Sequence, residues 1–244
     1  AEPWWKYYKA KIEPDYKEGI QVSKFDQTNG FSLGAGVSLA TASDGGKAFS
    51  SKIFFLLSLP EVFLLQGQGQ ILKERIGLDT TQDPPFFALI SITSTSVETA
   101  FGVNYKIPDD GDDPGSIATV DGVIEMGFSW ANAFVWYINI GKDLPENRRI
   151  QVRLLDLFNA YFYFMLGNNG IRAGAGASFE VKKQFGPLRA ELSAYLDTAA
   201  RISKRPKEMG GSIQLGGSAG LYIFGFGFSI GASASLAAES AKPF

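Results

Sequence analysis

The chain has 244 residues, a formal net charge of −2, and neither Cys nor His. Without Cys a disulfide-stapled scaffold is excluded, and without His or Cys the usual ligands for zinc, copper, haem and iron–sulfur clusters are missing. A near-neutral chain also lacks the basic surface that nucleic acid requires, so no nucleic-acid partner is expected. The 20 Phe and 28 Gly favour β-structure joined by tight turns.

The first 18 residues are rich in Trp, Tyr and Lys and have no regular period, which predicts an aromatic, Lys-rich lead-in. Aromatic side chains with polar tips gather at interfaces, so this segment supplies candidates for contact with a ligand or a membrane. Packing on the end of the core is the alternative, and the sequence favours it. The candidates are Trp4, Trp5, Tyr7 and Tyr8.

A ten-residue pattern occurs three times, at 30–39, 170–179 and 227–236. In each copy Gly stands first and fifth, Ala sixth and Ser ninth, and apolar residues alternate with small ones apart from Arg172 in the second copy. Such alternation is typical of an amphipathic β-strand. Two copies contain Gly-X-Ser-X-Gly, but a chain without His has no general base for a nucleophile elbow. We interpret the alternate glycines as positions where an aromatic ring from a neighbouring strand or a facing sheet lies over the backbone.

Further strand patterns follow at intervals of 8 to 16 residues, including 62–76, 211–217 and 221–236. Because helical patterns are nearly absent, neighbouring strands are expected to be antiparallel. Residues 19–244 are therefore predicted to form a single all-β domain. Its expected fold is an antiparallel meander of roughly a dozen or more strands, closed into a large sandwich or flattened barrel.

An acidic loop is predicted near 108–116, where four Asp residues stand close together. Oxygen ligands suit Ca²⁺, but the run lacks the alternating spacing and closing Glu of a familiar calcium loop. A solvated hairpin loop is the favoured interpretation, and a Ca²⁺ site is the alternative. The candidate Ca²⁺ ligands are Asp109, Asp110, Asp112 and Asp113.

Three carboxylates on strand-like segments are candidates for catalysis without His: Glu125, Glu180 and Glu191. Glycoside hydrolases use two carboxylates, and a pair across a sheet would meet that requirement. Charges on a water-facing strand surface are the more common explanation of such residues. The sequence therefore favours a chain that is not an enzyme and keeps a His-independent glycoside hydrolase as an alternative.

The segments 185–196 and 213–228, in which Gly, Ala and Ser punctuate apolar strands, resemble parts of very large uncharacterised bacterial proteins made of repeated β units. The resemblance extends over about residues 150 to 244. It implies that the chain is a module of a longer protein. It implies no activity and no site residues, because that family has none to transfer.

These observations favour a non-catalytic structural or binding module of an extracellular or cell-envelope assembly. Its expected partners are other protein chains or further copies of itself, and an apolar ligand or lipid is an additional candidate. One alternative is an outer-membrane β-barrel, although Lys73, Glu74 and Arg75 fall in a strand-like run and Lys182 and Lys183 end another. The other alternative is a glycan-binding or glycan-hydrolysing β-sandwich.

Overall fold

The computed structural model describes residues 31–59, 62–72, 75–76, 85–107 and 117–240. Within these ranges the regular structure is β-strand apart from a short 3-10 turn at Glu146–Arg148. The prediction of an all-β chain is confirmed. Across the same ranges, no helix has the length and apolar character needed to cross a membrane. The predicted lead-in and acidic loop lie outside the described residues.

Thirteen strands follow one another in the described residues. The bounds are β1 Phe31–Ala40, β2 Phe49–Leu59, β3 Val62–Ile71, β4 Phe86–Thr93, β5 Ser96–Ile107, β6 Ala118–Ser129, β7 Val135–Ile140, β8 Ile150–Leu154, β9 Phe158–Gly167, β10 Gly170–Phe185, β11 Leu188–Lys204, β12 Lys207–Ile223 and β13 Phe226–Glu239. All three copies of the ten-residue pattern lie on strands, in β1, β10 and β13. The strand interpretation of the repeat is therefore confirmed.

The strands form one sheet whose order follows the sequence from β1 to β7 and then from β9 to β13. The short β8 stands off this path and pairs with β6 and β9. An antiparallel meander is therefore confirmed, because strands that follow one another in sequence are neighbours in the sheet, apart from β8. Closure of the sheet into a sandwich or barrel stays a prediction, as does the single domain over 19–244.

The chain divides into two compact units, Ala1–Gly102 with Met126–Phe134 and Val103–Glu125 with Val135–Phe244. In the first unit, one face of β3 and β4 carries a small packed cluster. Leu64 has no exposed surface and lies opposite the nearly buried Ser91 in the ladder. Ser50 accepts a hydrogen bond from the Ile76 N–H at 3.0 Å, and the Ser38 hydroxyl donates to the Ile76 carbonyl at 3.1 Å. These two serines fasten the chain after β3 onto β1 and β2.

Two predicted strand boundaries are wrong. β3 ends at Ile71, because Leu72 takes a positive φ of 57° and leaves the extended conformation, so the predicted strand does not reach residue 76. The predicted break after 217 is absent, because β12 pairs with β11 along its whole length. The turn comes instead at Phe224 and Gly225, which both have positive φ, as the tightest hairpin turns require.

Each unit has a sheet face on which large apolar side chains are exposed. In the first unit this face includes the large apolar residues at alternate positions of β1, namely Phe31, Leu33, Val37 and Leu39, and continues onto Ile90 and Ile92 of β4. In the second unit it runs over β10 to β13, where the ladders bring apolar residues together, as with Leu196 and Leu215 or Leu221 and Phe228. We call these surfaces the apolar faces.

Candidate functional site

The opposite face of the second unit, which we call the polar face, carries a row of polar residues. The strand registers place Gln151 of β8 opposite Tyr161 of β9, and Tyr161 opposite Gly176 of β10. Gly176 is in turn opposite Asp197 of β11, and Asp197 is opposite Gln214 of β12. Because directly opposed residues share a face, a single continuous row crosses five strands.

Two tyrosines and an arginine form the centre of this face. The Tyr161 hydroxyl donates a hydrogen bond to Oδ2 of Asp197. The Arg149 guanidinium lies 4.4 Å from the centroid of the Tyr161 ring and 5.6 Å from that of Tyr163. Its Nη2 is 3.6 Å from Oδ1 of Asp143. We call these five residues the tyrosine cluster. Cation–π contact and charge balance hold the arginine between ring and carboxylate.

The environment of the cluster keeps both phenols neutral over a wider pH range. Burial, together with the hydrogen bond to Asp197, raises the pKa of Tyr161 to about 12. Burial also raises the pKa of Tyr163, and the nearby Asp143 carboxylate adds to that effect. In both cases the positive charge of Arg149 acts in the opposite direction. The cluster therefore presents neutral hydroxyl donors at physiological pH.

The glycines of β10 make room for these rings. A Cβ at Gly174 would lie 2.5 Å from Cε1 of Tyr163, and one at Gly176 would lie 2.3 Å from Cε1 of Tyr161. Both rings therefore lie across the bare backbone of the next strand. For this copy of the repeat, the interpretation that alternate glycines accommodate aromatic rings is confirmed.

A pocket of about 320 Å³ opens on the polar face beside the tyrosine cluster. Charged and polar side chains line it from β8 to β11 and from the short turn before β8. This volume lies at the small end of the range of about 300 to 1,000 Å³ found for ligand pockets. The polar and aromatic lining comprises Glu146, Arg149, Gln151, Arg153, Asn159, Tyr161, Ser178, Tyr195 and Asp197.

Glu125, the first catalytic candidate, is buried in an ion pair. Its side chain is only 5% exposed, and Oε2 lies 2.5 Å from Nζ of Lys142. A buried carboxylate needs such a partner, because removing an uncompensated charge from water costs several kcal/mol. Lys142 therefore compensates the buried charge of Glu125. Neither Glu180 nor Glu191 takes part in this ion pair. A catalytic role for Glu125 stays a prediction.

Glu180 and Glu191 lie on neighbouring strands of the polar face, although the register does not place them directly opposite one another. Glu180 Oε1 is 2.5 Å from Nζ of Lys182, and Glu191 Oε1 is 2.5 Å from Nη2 of Arg189. The register sets Lys182 directly opposite Glu191. Each carboxylate is thus neutralised by a cation on its own strand. Their use in glycoside hydrolysis stays a prediction.

The remaining sequence candidates lie outside the described residues. These are the aromatic contact candidates Trp4, Trp5, Tyr7 and Tyr8 and the Ca²⁺ candidates Asp109, Asp110, Asp112 and Asp113. In the part of the chain with described coordinates, no group of three or more Asp or Glu residues is arranged to hold a metal ion. A Ca²⁺ site in the acidic loop stays a prediction.

The sequence did not single out the tyrosine cluster. The run from Tyr161 to Leu166 reads as apolar on both faces, which hides the fact that its two tyrosines turn their hydroxyls to one side. The available signal is a coincidence of two patterns. Tyr occurs at alternate positions in one strand, and Gly occurs at alternate positions in the next. Comparison of the chain with protein-family models, with curated proteins and with solved structures gives no match.

Proposed function

We propose that the chain is a membrane-embedded protein of the cell envelope, an outer-membrane β-barrel whose apolar faces contact lipid. The observation that carries the proposal is the inverted distribution of apolar side chains. Among the described residues, the buried apolar core consists of Leu64, Ile76, Leu89, Ala100, Ile150 and Tyr163. Large apolar residues at alternate positions of β1, β4, β11, β12 and β13 are exposed instead. Transmembrane β-strands alternate in this way, with apolar residues toward lipid.

The hydrophobic effect favours burial of these apolar faces against lipid or protein. A soluble monomer seldom exposes a contiguous apolar patch above about 600 Å². The second apolar face alone extends over several adjacent strands, with Phe228, Ile230 and Leu236 each about 70% exposed on β13. Leaving apolar surface in water costs about 25 cal/mol per Å². Lipid removes that cost for both faces without a protein partner.

Several strands are long enough to cross a bilayer. A strand tilted by about 45° needs roughly 9 to 11 residues to cross the hydrocarbon core. β1 and β9 have 10 residues, and β10, β11 and β12 have 16 to 17. Along β11 the apolar positions run from Leu188 to Ile202 with Thr198 as the single polar interruption. That run exceeds the length a tilted crossing requires.

The charged residues that argued against a membrane role from sequence lie where they are compatible with a membrane-spanning strand. β3 ends at Ile71, so Arg75 is outside a strand. Lys182 points to the polar face and pairs with Glu180. Lys183 shares the apolar face but stands near the end of β10, where a long lysine side chain reaches the interfacial region.

A quenching experiment tests the proposal, helped by the absence of native Cys. Leu215 and Gln214 are neighbours on β12 and point to opposite faces. Leu215→Cys and Gln214→Cys are each labelled with an environment-sensitive fluorophore and reconstituted into phosphatidylcholine vesicles containing doxyl-labelled lipid. We expect strong quenching at position 215 and weak quenching at 214.

Two results would contradict the membrane assignment. One is equal quenching at the two positions. The other is a chain that stays in plain buffer and does not float with vesicles. A buffer-soluble oligomer would instead support the structural or binding module expected from sequence, because further copies of the chain would then cover the apolar faces. Heat-modifiable migration on a denaturing gel provides an independent readout.

A further inference from the structure

The pocket on the polar face combines an accessible aromatic ring with a balanced set of charges. Tyr195 lies across Gly216, where a Cβ would come within 2.8 Å of its Cε1. One side of the ring therefore rests on the sheet. The residue is 44% exposed, so the other side is open to the pocket. An aromatic ring held flat in this way offers its apolar surface to a ligand at little entropic cost.

Polar groups lie next to the Tyr195 ring. The register puts Ser178 directly opposite Tyr195 and Asn159 directly opposite Ser178. Asp197 lies two positions along the same strand and face, and its Oδ2 accepts the Tyr161 hydroxyl. Hydroxyl, amide and carboxylate groups thus stand at one edge of an apolar platform. This is the pairing that fixes a small ligand with both apolar and hydroxyl surface.

The charges of the pocket select against ionic ligands. The lining contains two cations, Arg149 and Arg153, and two anions, Glu146 and Asp197. Arg149 is already engaged, because its Nη2 lies 3.5 Å from Oε1 of Glu146 and its guanidinium covers the Tyr161 ring. An anionic or a cationic ligand would meet a carboxylate or a guanidinium of its own sign. The balanced lining suits a neutral ligand with many hydroxyl groups.

We infer that this pocket is a binding site for a neutral sugar, with the ring of one hexose unit stacked on Tyr195. Its hydroxyl groups exchange hydrogen bonds with Asn159, Ser178 and Asp197. The site differs from the carboxylates predicted from sequence, and it requires no catalysis. It is also independent of the membrane proposal, because all of its groups lie on the face opposite the apolar one.

The test uses the full chain in amine-oxide micelles, since that detergent carries no sugar headgroup. Saturation-transfer difference NMR is recorded with glucose, galactose, mannose and maltose, and with glucose 6-phosphate and glucosamine as charged comparators. We expect transfer to at least one neutral sugar and weaker transfer to the charged ones. Tyr195→Ala should weaken binding about tenfold, the loss of one well-placed stacking contact.

Tyr222→Ala is the matched control. Tyr222 lies on the same face, with Cζ of Arg189 5.1 Å from the centroid of its ring, and it does not line the pocket. The substitution should leave sugar binding unchanged. Asn159→Ala removes the side-chain amide and leaves the rings of Tyr161 and Tyr195 in place, and it should weaken sugar binding about fivefold. Circular dichroism verifies that each variant is folded. The inference is overturned by tighter binding of a charged comparator, by equal losses in Tyr195→Ala and Tyr222→Ala, or by no transfer to any of the four neutral sugars.

Discussion

Gly34 and Gly174 occupy the same position in two copies of the ten-residue pattern, yet their surroundings differ. A Cβ at Gly34 would meet its nearest atom, Cζ of Phe54, at an ordinary 3.6 Å. A Cβ at Gly174 would overlap the buried Tyr163 ring at 2.5 Å. One local pattern therefore serves two arrangements, and the neighbouring strand decides which. In the first unit the face behind the apolar one holds Leu64 and serines, whereas in the second it holds tyrosines and charges.

The largest loss of stability is expected for a substitution in the packed cluster around Leu64 in the first unit. Leu64→Ala removes a fully buried side chain and should lower the free energy of unfolding by about 2 to 5 kcal/mol. The control, Leu236→Ala on the exposed face of β13, should cost much less. Guanidinium unfolding in micelles, followed by tryptophan fluorescence, measures both. Equal costs would show that the cluster around Leu64 is no better packed than the apolar face.

Substitutions at Gly174 and Gly34 test directly whether the two glycines have different surroundings. Gly174→Ala places a methyl group against a ring that Asp143 holds by a hydrogen bond, and overpacking of this kind costs about 1 to 3 kcal/mol. Gly34→Ala meets ordinary contact distances and should stay within about 0.5 kcal/mol of the parent. The same unfolding assay applies. If both substitutions are neutral, the rings do not depend on bare backbone.

The smallest effect concerns the phenol of Tyr161. Tyr161→Phe removes its hydrogen bond to Asp197 and should cost about 1 kcal/mol at pH 7. The parent should also lose stability as pH rises from about 10 to 12. In that window the unfolded phenol ionises, while the folded one, with a pKa of about 12, keeps its proton, so unfolding releases a proton. The variant should show less of this loss.

Unfolding midpoints at a series of alkaline pH values check this prediction. Tyr222→Phe is the control for removal of a hydroxyl on the same face outside the tyrosine cluster. An alkaline slope in Tyr161→Phe equal to that of the parent would contradict a folded-state pKa as high as about 12 for this group.

The strand content was predictable because alternation is local. Phe31, Leu33 and Val37 differ from Ser32 and Gly34 within a few residues, and period two fixes both the strand and its faces. Strand ends were harder to predict. The strand predicted over 211–217 stops short, because pairing with β11 extends β12 to Ile223. Register with a neighbour is information that a single strand does not contain.

The candidate site was less predictable for the same reason. Asp197 and Tyr161 are 36 positions apart in sequence and meet only through the register of β10 with both of its neighbours. Arg149 arrives from a turn whose course depends on β8 pairing outside the main strand order. Glu125 stood out in sequence as a lone carboxylate among apolar residues, but its environment depends on Lys142, which follows a different strand.

The order of the strands has a consequence for how the chain assembles. Because almost every strand pairs with its predecessor in sequence, most contacts close short loops, and the contact order of the sheet is low for a β protein. Each hairpin offers a template for the next one, so the sheet grows by local additions. β8 adds one longer closure, because it pairs with β6 as well as with β9, the next strand in sequence. The strands that line the pocket, β8 to β11, each pair with the next strand in sequence, so the pocket depends mainly on short-range pairing.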